Sequence, residues 1–198
     1  LKEMKEKINT TVQNIIRNYV REENIYKGKN IIIVETVKEY VKKVIELDKR
    51  TVEKGNGLKI IAVESEFENK IRESGVEYKI KGKIDRIDEL NGEVRVIDYK
   101  SGKKLRQRNI IIKESEELTK EKGIYNLQLL IYMLGIKEEF KEKTIKSGII
   151  NLKNISEGVL EGVFNGKTVL NNTEMENYKN EIIKIITNIL DTRKVFKN

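Results

Sequence analysis

Between residues 58 and 100, three strand-like runs are separated by only two tight turns. The runs are Leu58 to Phe67, Val76 to Asp88 and Glu93 to Lys100; the turns are Ser74-Gly75 and Asn91-Gly92. Asn-Gly is the dipeptide that accepts positive φ at both centres of a two-residue hairpin. Strands joined this closely have to run antiparallel, because a parallel return needs a crossover of a dozen or more residues. The expectation is therefore an antiparallel meander at the centre of the chain. Helical spacing flanks it. Lys2 to Arg21 repeats Ile8, Val12, Ile15, Ile16 and Tyr19, and Asn24 to Asn30 is a polar break. Glu35 to Glu53 carries Val37, Tyr40, Val41, Val44, Ile45 and Leu47, and Gly55-Asn56-Gly57 ends it.

Beyond the meander, Lys103 to Lys113 reads as a basic connection and Glu121 to Leu134 as a helix with Ile124, Leu127, Ile131 and Leu134 on its apolar side. Thr144 to Leu152 and Glu157 to Phe164 read as strands, and Thr173 to Phe196 as a closing helix. A helix between the third strand and the fourth permits a crossover back onto the same sheet. The expectation is one α/β domain over residues 1–198, with a mixed central sheet flanked by helices. Its core covers about residues 35–164, preceded by a helix at 2–21 and followed by one at 173–196. The first residue is Leu, which admits that the chain is a piece of a longer protein.

Composition narrows the chemistry. The chain of 198 residues contains no Cys and no His. That removes disulfides, zinc fingers, cysteine nucleophiles and every His-based triad. A metal here has to be hard and oxygen-ligated, such as Mg²⁺ or Mn²⁺. Lys and Arg total 40 against 32 Asp and Glu, a net charge of +8 that suits a polyanionic partner. Lys, Ile and Asn are abundant and Pro is absent, so a compositional bias accounts for much of that charge. No apolar run approaches the roughly 20 residues needed to span a bilayer, and no signal peptide is visible. No membrane association is expected, and the expected compartment is the cytoplasm.

The chemistry concentrates in Gly82-Lys83-Ile84-Asp85-Arg86-Ile87-Asp88 and Val96-Ile97-Asp98-Tyr99-Lys100. Alternation places Val94, Val96, Asp98 and Lys100 on one face of the third strand. The first two belong in a core; the last two set a carboxylate and an ammonium together at the sheet's end. Asp85, on the antiparallel neighbour, is expected near Asp98. Two close carboxylates disfavour joint ionisation, and a divalent cation between them relieves this. A Lys beside a metal-bound water orients it and favours its deprotonated form. This is a minimal apparatus for hydrolysing a phosphodiester. Gln128 and Tyr132, four residues apart, share one helix face at the margin of its apolar side.

Taken together, Gly-x-Ile-Asp-Arg-Ile-Asp, Ile-Asp-Tyr-Lys-Ser-Gly and Gln-x-x-x-Tyr resemble the RecB-like branch of the PD-(D/E)XK nuclease superfamily, which includes the AddB-type exonuclease domain. The similarity covers roughly residues 51–164. It implies a restriction-endonuclease-like α-β-β-β-α-β core, the order read independently above. It also implies Asp85, Asp98 and the backbone carbonyl of Tyr99 as metal ligands, Lys100 as the catalytic lysine, and Gln128 and Tyr132 as an accessory motif. Glu64, in Val63-Glu64-Ser65-Glu66-Phe67, resembles the Val-Glu-x-x-Phe strand of relatives and is a candidate further ligand; Glu66 is a weaker one. Relatives commonly place a metal-binding His in an upstream helix, and laying the first helix on that pattern puts Gln13 there. Many relatives carry a four-Cys iron–sulfur cluster, which these residues cannot form.

The resemblance implies an Mg²⁺- or Mn²⁺-dependent DNA nuclease, an exonuclease in recombination or repair. It would act on single-stranded DNA or ends, with a helicase domain or subunit as partner. Lys103, Lys104, Arg106, Arg108 and Lys113 lie beside the site as candidates for gripping phosphates. The alternatives are a catalytically impaired module of the same fold that binds DNA or scaffolds a helicase, and a protein-interaction domain whose charge reflects genome bias.

Overall fold

A computed structural model describes residues 2–73 and 75–191. The described residues fall into two compact units, residues 1–55 and 56–198. The first is helical: α1 (Lys2–Ile16), α2 (Glu22–Ile25) and α3 (Lys29–Glu53). Here α1 packs on α3, burying Ile8 and Val12, and α2 buries Ile25. The helix expected over residues 2–21 stops at Ile16, and the one expected from Glu35 starts six residues earlier, at Lys29, after Gly28 with φ 53°.

The second unit opens with β1 (Leu58–Glu73), β2 (Val76–Leu90) and β3 (Glu93–Lys100). It continues through β4 (Ile111–Ile112), α4 (Ile124–Ile136), β5 (Ile145–Asn151), β6 (Val159–Glu161), β7 (Val163–Phe164) and α5 (Asn172–Leu190). The main sheet has the order β1-β2-β3-β5-β6. The meander is antiparallel, and its β2–β3 turn carries Asn91 and Gly92 at φ 53° and 90°. After α4 the chain returns with β5 parallel to β3, and β6 lies antiparallel on β5. The sheet is thus mixed, as read from the sequence. β4 and β7 form a separate two-stranded parallel sheet, in place of one continuous strand over residues 157–164. The closing helix ends at Leu190; residues 192–196 of the expected helix lie outside the described residues, as does Ser74 of the first turn.

α4 is apolar almost all round, as a helix buried on several sides must be. Leu129, Leu130 and Met133 are fully buried in one cluster with Val94, Val96, Ile87 and Ile149 of the sheet and Met175, Tyr178 and Ile182 of α5. Gly135 of α4 and Gly82 of β2 both lie against the Phe67 ring, which meets Tyr132 edge-on at 6.1 Å. α5 begins at a reciprocal cap: the Glu174 amide donates to Asn171 Oδ1 at 2.8 Å, and the Asn171 amide donates to Glu174 Oε2 at 3.0 Å. Among the described residues, no helix is long and apolar enough to cross a membrane.

Candidate active site

The alternation of β3 has the consequence expected of it. Val94 and Val96 are wholly buried beneath α4, and Asp98 and Lys100 continue that face to the strand's end. The β2–β3 register pairs Arg86 with Ile97 and Ile87 with Val96; carried one step further, it sets Asp85 opposite Asp98. Asp85 Oδ2 accepts the Tyr99 amide at 2.7 Å, which ties the two strand ends together.

Asp98 is only 3% exposed. Its Oδ1 accepts from Gln128 Nε2 at 2.9 Å. Lys100 Nζ lies 2.8 Å from Oδ2, but off the direction of a good hydrogen bond, so this buried oxygen has no well-directed donor. The same ammonium donates to Gln128 Oε1 at 2.9 Å, and Gln128 Nε2 also reaches the Tyr132 hydroxyl at 2.7 Å. Spacing of i and i+4 on α4 brings Gln128 and Tyr132 to one place, and packing of α4 on β3 brings that place to Asp98. Asp98, Lys100, Gln128 and Tyr132 therefore form one network, and Asp85 stands across the strand pair from it.

Burial raises the Asp98 carboxyl above its ordinary range, and the charge of Asp85 adds to the rise. The nearby Lys100 ammonium, and to a lesser degree the Tyr132 hydroxyl, act against it. Burial likewise raises the Tyr132 phenol, against the bond from Gln128 and with the charges of Asp98 and Asp85. Tyr132 thus stays protonated at neutral pH and keeps a hydroxyl proton to donate.

Other residues singled out in the sequence fall elsewhere. Gln13 lies on α1, in the helical unit, and its Nε2 donates to the Tyr26 hydroxyl. Glu64 is exposed, holds a left-handed backbone at φ 52°, and is ion-paired to Lys83 Nζ at 2.7 Å. Glu66 is exposed on the same strand. Asp88 of the first motif is fully buried with both oxygens occupied: Oδ2 accepts from Arg86 Nε at 2.7 Å, and Oδ1 from Arg95 Nε at 2.7 Å. That carboxylate is a structural hub. Lys103, Lys104, Arg106 and Arg108 are exposed on the segment that leaves β3. This segment is built, where a plain loop was expected: Leu105 and Ile110 are buried, and Gln107 to Ile110 form a 3₁₀ turn. Asn151, at the end of β5 and in register with Lys100, escaped the sequence reading, because nothing local announces a partner 51 residues away.

Among the described residues no group of three or more acidic side chains gathers to hold a metal. The donors at the site are two carboxylates and main-chain carbonyls, all hard oxygens. The buried Asp98 Oδ2, ion-paired to Lys100 but without a well-directed hydrogen bond, lies beside the Asp85 charge; a divalent cation fits there, since it would add a ligand bond to that oxygen and neutralise the like-charge pair.

One comparison with known proteins agrees in kind. A family model described as the PD-(D/E)XK nuclease superfamily matches residues 1–196. A search of curated proteins finds no match. Among solved structures the chain is similar to one titled "Crystal structure of SSO0001", at 17% identity over 98% of each chain, with a TM-score of 0.33.

Proposed function

The chain belongs to the PD-(D/E)XK nuclease superfamily, and from that premise we propose that it is a metal-dependent DNA nuclease, an exonuclease of the RecB-like, AddB-type branch. The observation that carries this reading is the hydrogen-bonded set Asp98–Lys100–Gln128–Tyr132 facing Asp85. Asp85, Asp98 and the Tyr99 carbonyl would hold Mg²⁺ or Mn²⁺, which when bound polarises a phosphoryl oxygen and acidifies water.

The chain's own residues do the rest. Gln128 fixes Asp98 and Lys100 at once, donating to the first and accepting from the second, so neither can swing away without breaking a partly buried bond. Lys100 sets a positive charge beside the carboxylate, where it orients the attacking oxygen and opposes the charge developing on phosphate. Tyr132, its ring packed against Phe67, has only its hydroxyl to offer a phosphate. Lys103, Lys104, Arg106 and Arg108 are proposed to grip the backbone, and nothing here reads base edges, so binding is independent of sequence. Glu64, exposed on the strand beside Asp85 and ion-paired to Lys83, is proposed as a further ligand should that pair exchange. Both compact units lie within the family match, and we take residues 1–198 as one nuclease domain. It would act in the cytoplasm, in recombination or repair, on single-stranded DNA or ends that a helicase domain or subunit supplies.

The test compares wild type with Asp98→Ala and Lys100→Ala on single- and double-stranded DNA, with Mg²⁺ or Mn²⁺. Each substitution is expected to lower kcat by about 10² or more, the scale of removing one electrostatic or acid–base group. Cleavage that survives both rejects the assignment.

A second reading has one observation in its favour. Gln13, which the resemblance lays on the place of the relatives' metal-binding His, has its amide engaged with Tyr26. A module that binds DNA or scaffolds a helicase without cutting would show salt-dependent binding and no metal-dependent cleavage.

A further inference from the structure

β5 reads as an apolar strand, with Ile145, Ile149 and Ile150 buried, yet it ends in an amide. Asn151 is 1% exposed. Its Nδ2 donates to two main-chain carbonyls, that of Lys100 at 3.3 Å and that of Lys103 at 2.8 Å. The Leu152 amide also donates to the Lys100 carbonyl, at 2.9 Å. Asn151 Oδ1 is buried with no partner, so the residue leaves one polar atom unsatisfied in order to present its two donors. An aliphatic side chain would suit the packing and avoid that orphan. The partners also fix which way the amide lies, because the reverse orientation would set Oδ1 against two carbonyl oxygens.

The two carbonyls bracket Ser101-Gly102, an exposed step between the end of β3 and the basic segment. Downstream the segment is secured by other means. Leu105 is buried, and Gln107 pairs twice with Glu161: Nε2 donates to its carbonyl at 2.6 Å, and Oε1 accepts its amide at 3.0 Å. Just past β5, Asn154 Nδ2 reaches the Leu105 carbonyl at 3.5 Å, but among the described residues the span from Lys100 to Lys103 is the part tied by a side chain of β5 itself. On one side of that span is the ammonium beside Asp98; on the other begins the run Lys103, Lys104, Arg106, Arg108.

We infer that Asn151 is a positioning residue for the proposed phosphodiester cleavage: it clamps the Lys100–Lys103 span and so sets the reacting ammonium and the phosphate-gripping segment at a fixed separation. The inference rests on the nuclease reading for its chemical consequence and on geometry alone for the clamp. A clamp of this kind acts in the turnover step, since it holds groups in place that a mobile span would offer only part of the time.

The test uses Asn151→Leu, which matches the side chain's shape and removes both donors along with the orphaned oxygen. Exchange of the Leu152 amide, which donates to the clamped Lys100 carbonyl, is expected to accelerate tenfold or more with the rest of the sheet unchanged. The melting temperature should stay close to that of wild type. On single-stranded DNA, kcat should fall tenfold or more, with a smaller change in KM. If leucine prevents folding, Asn151→Ser, with one shorter donor, carries the same comparison and should give intermediate values. Exchange that is unchanged, or that rises throughout the sheet, overturns the clamp. A kcat per folded molecule equal to that of wild type overturns its catalytic consequence. A wild type that cuts no DNA sinks the nuclease reading and with it that consequence, while the exchange result still decides the clamp.

Discussion

Asp98 is placed where a carboxylate is uncomfortable. Burial and the neighbouring Asp85 raise its pKa in the folded protein, whereas in the unfolded chain it returns to about 3.9. Between the unfolded value and the raised folded one, the native state binds the proton more tightly. Stability therefore falls as pH rises through that window, and the full penalty stands above the raised folded value. Asp98→Asn keeps the shape and an acceptor for Gln128 but carries no charge. Its melting temperature without divalent metal should exceed that of wild type at pH 7. The gap should close as pH is lowered through the window to below the unfolded value. Mg²⁺ or Mn²⁺ should raise the wild-type melting temperature and leave that of Asp98→Asn almost unmoved, since a ligand stabilises only the state that binds it. Thermal melts across pH, with chelator or metal, make the comparison. A variant that melts below wild type at pH 7 without metal would show that Lys100 and Tyr132 outweigh burial, and the argument that Asp98 favours a cation beside it would fail with it.

The elements that carry Asp98 to Gln128 depend on close packing, which yields an unusual sign at Gly135. Gly→Ala ordinarily gains up to about 1 kcal/mol in a helix, and still favours Ala in the last turn, where Gly135 lies. Here a Cβ would sit 2.5–2.7 Å from three atoms of the Phe67 ring. That ring cannot simply retreat, because Gly82 presses on its other edge and Tyr132 meets it edge-on. Overpacking costs about 1–3 kcal/mol, so Gly135→Ala should destabilise on balance, and the same change in a Phe67→Leu background should be neutral or favourable. Urea unfolding of the four-member cycle measures this; a stabilised Gly135→Ala in the wild-type background would refute it. Phe67 was legible as the end of a strand, but its place between two glycines was not, because that contact joins β1, β2 and α4. Legibility follows the same division elsewhere. β3 runs from Glu93 to Lys100 as read, since alternation and Asn91-Gly92 are local signals. β1 extends past Phe67 to Glu73 through Glu68, Asn69, Lys70 and Arg72, which show no apolar alternation. Cross-strand ion pairs hold that extension, Lys70 to Glu77 at 2.8 Å and Lys81 to Glu68 at 3.2 Å, and their partners are visible only once the register is known. The carboxylate pair, the lysine and the Gln-x-x-x-Tyr step were readable because strand and helix periodicities bring each of them to a face. Asn151 was not, because its meaning lies in a parallel pairing with Lys100 across the α4 crossover.

At the scale of the whole molecule the question is which part of a net +8 meets DNA. Much of the Lys complement is neutralised where it stands. Lys38 pairs with Glu35, Lys49 with Glu53, Lys179 with Glu176 and Lys184 with Glu181, each within about one helical turn. The β1–β2 ribbon alternates sign in the same way. Such pairs contribute little field at a distance, because each cation is screened by its own partner. The segment after Lys100 differs. Among the described residues Lys104, Arg106 and Arg108 have no carboxylate partner, and Lys103 has only the exposed Glu121 at 3.6 Å. Four positive side chains on a span anchored at Asn151, Leu105 and Gln107 therefore make a concentrated charge that composition alone could not reveal, being identical for any arrangement of the same residues. Binding to single-stranded DNA releases about 0.7 counterion per phosphate neutralised. Replacing Lys103, Lys104, Arg106 and Arg108 together with Gln should thus flatten the slope of log K against log salt by about 3. The same replacement of Lys38, Lys49, Lys179 and Lys184 removes an equal charge and should leave the slope nearly unchanged. Fluorescence anisotropy of a labelled oligonucleotide from low to moderate salt reads both; equal slopes for the two quadruple variants would mean that net charge, and not this segment, governs the encounter.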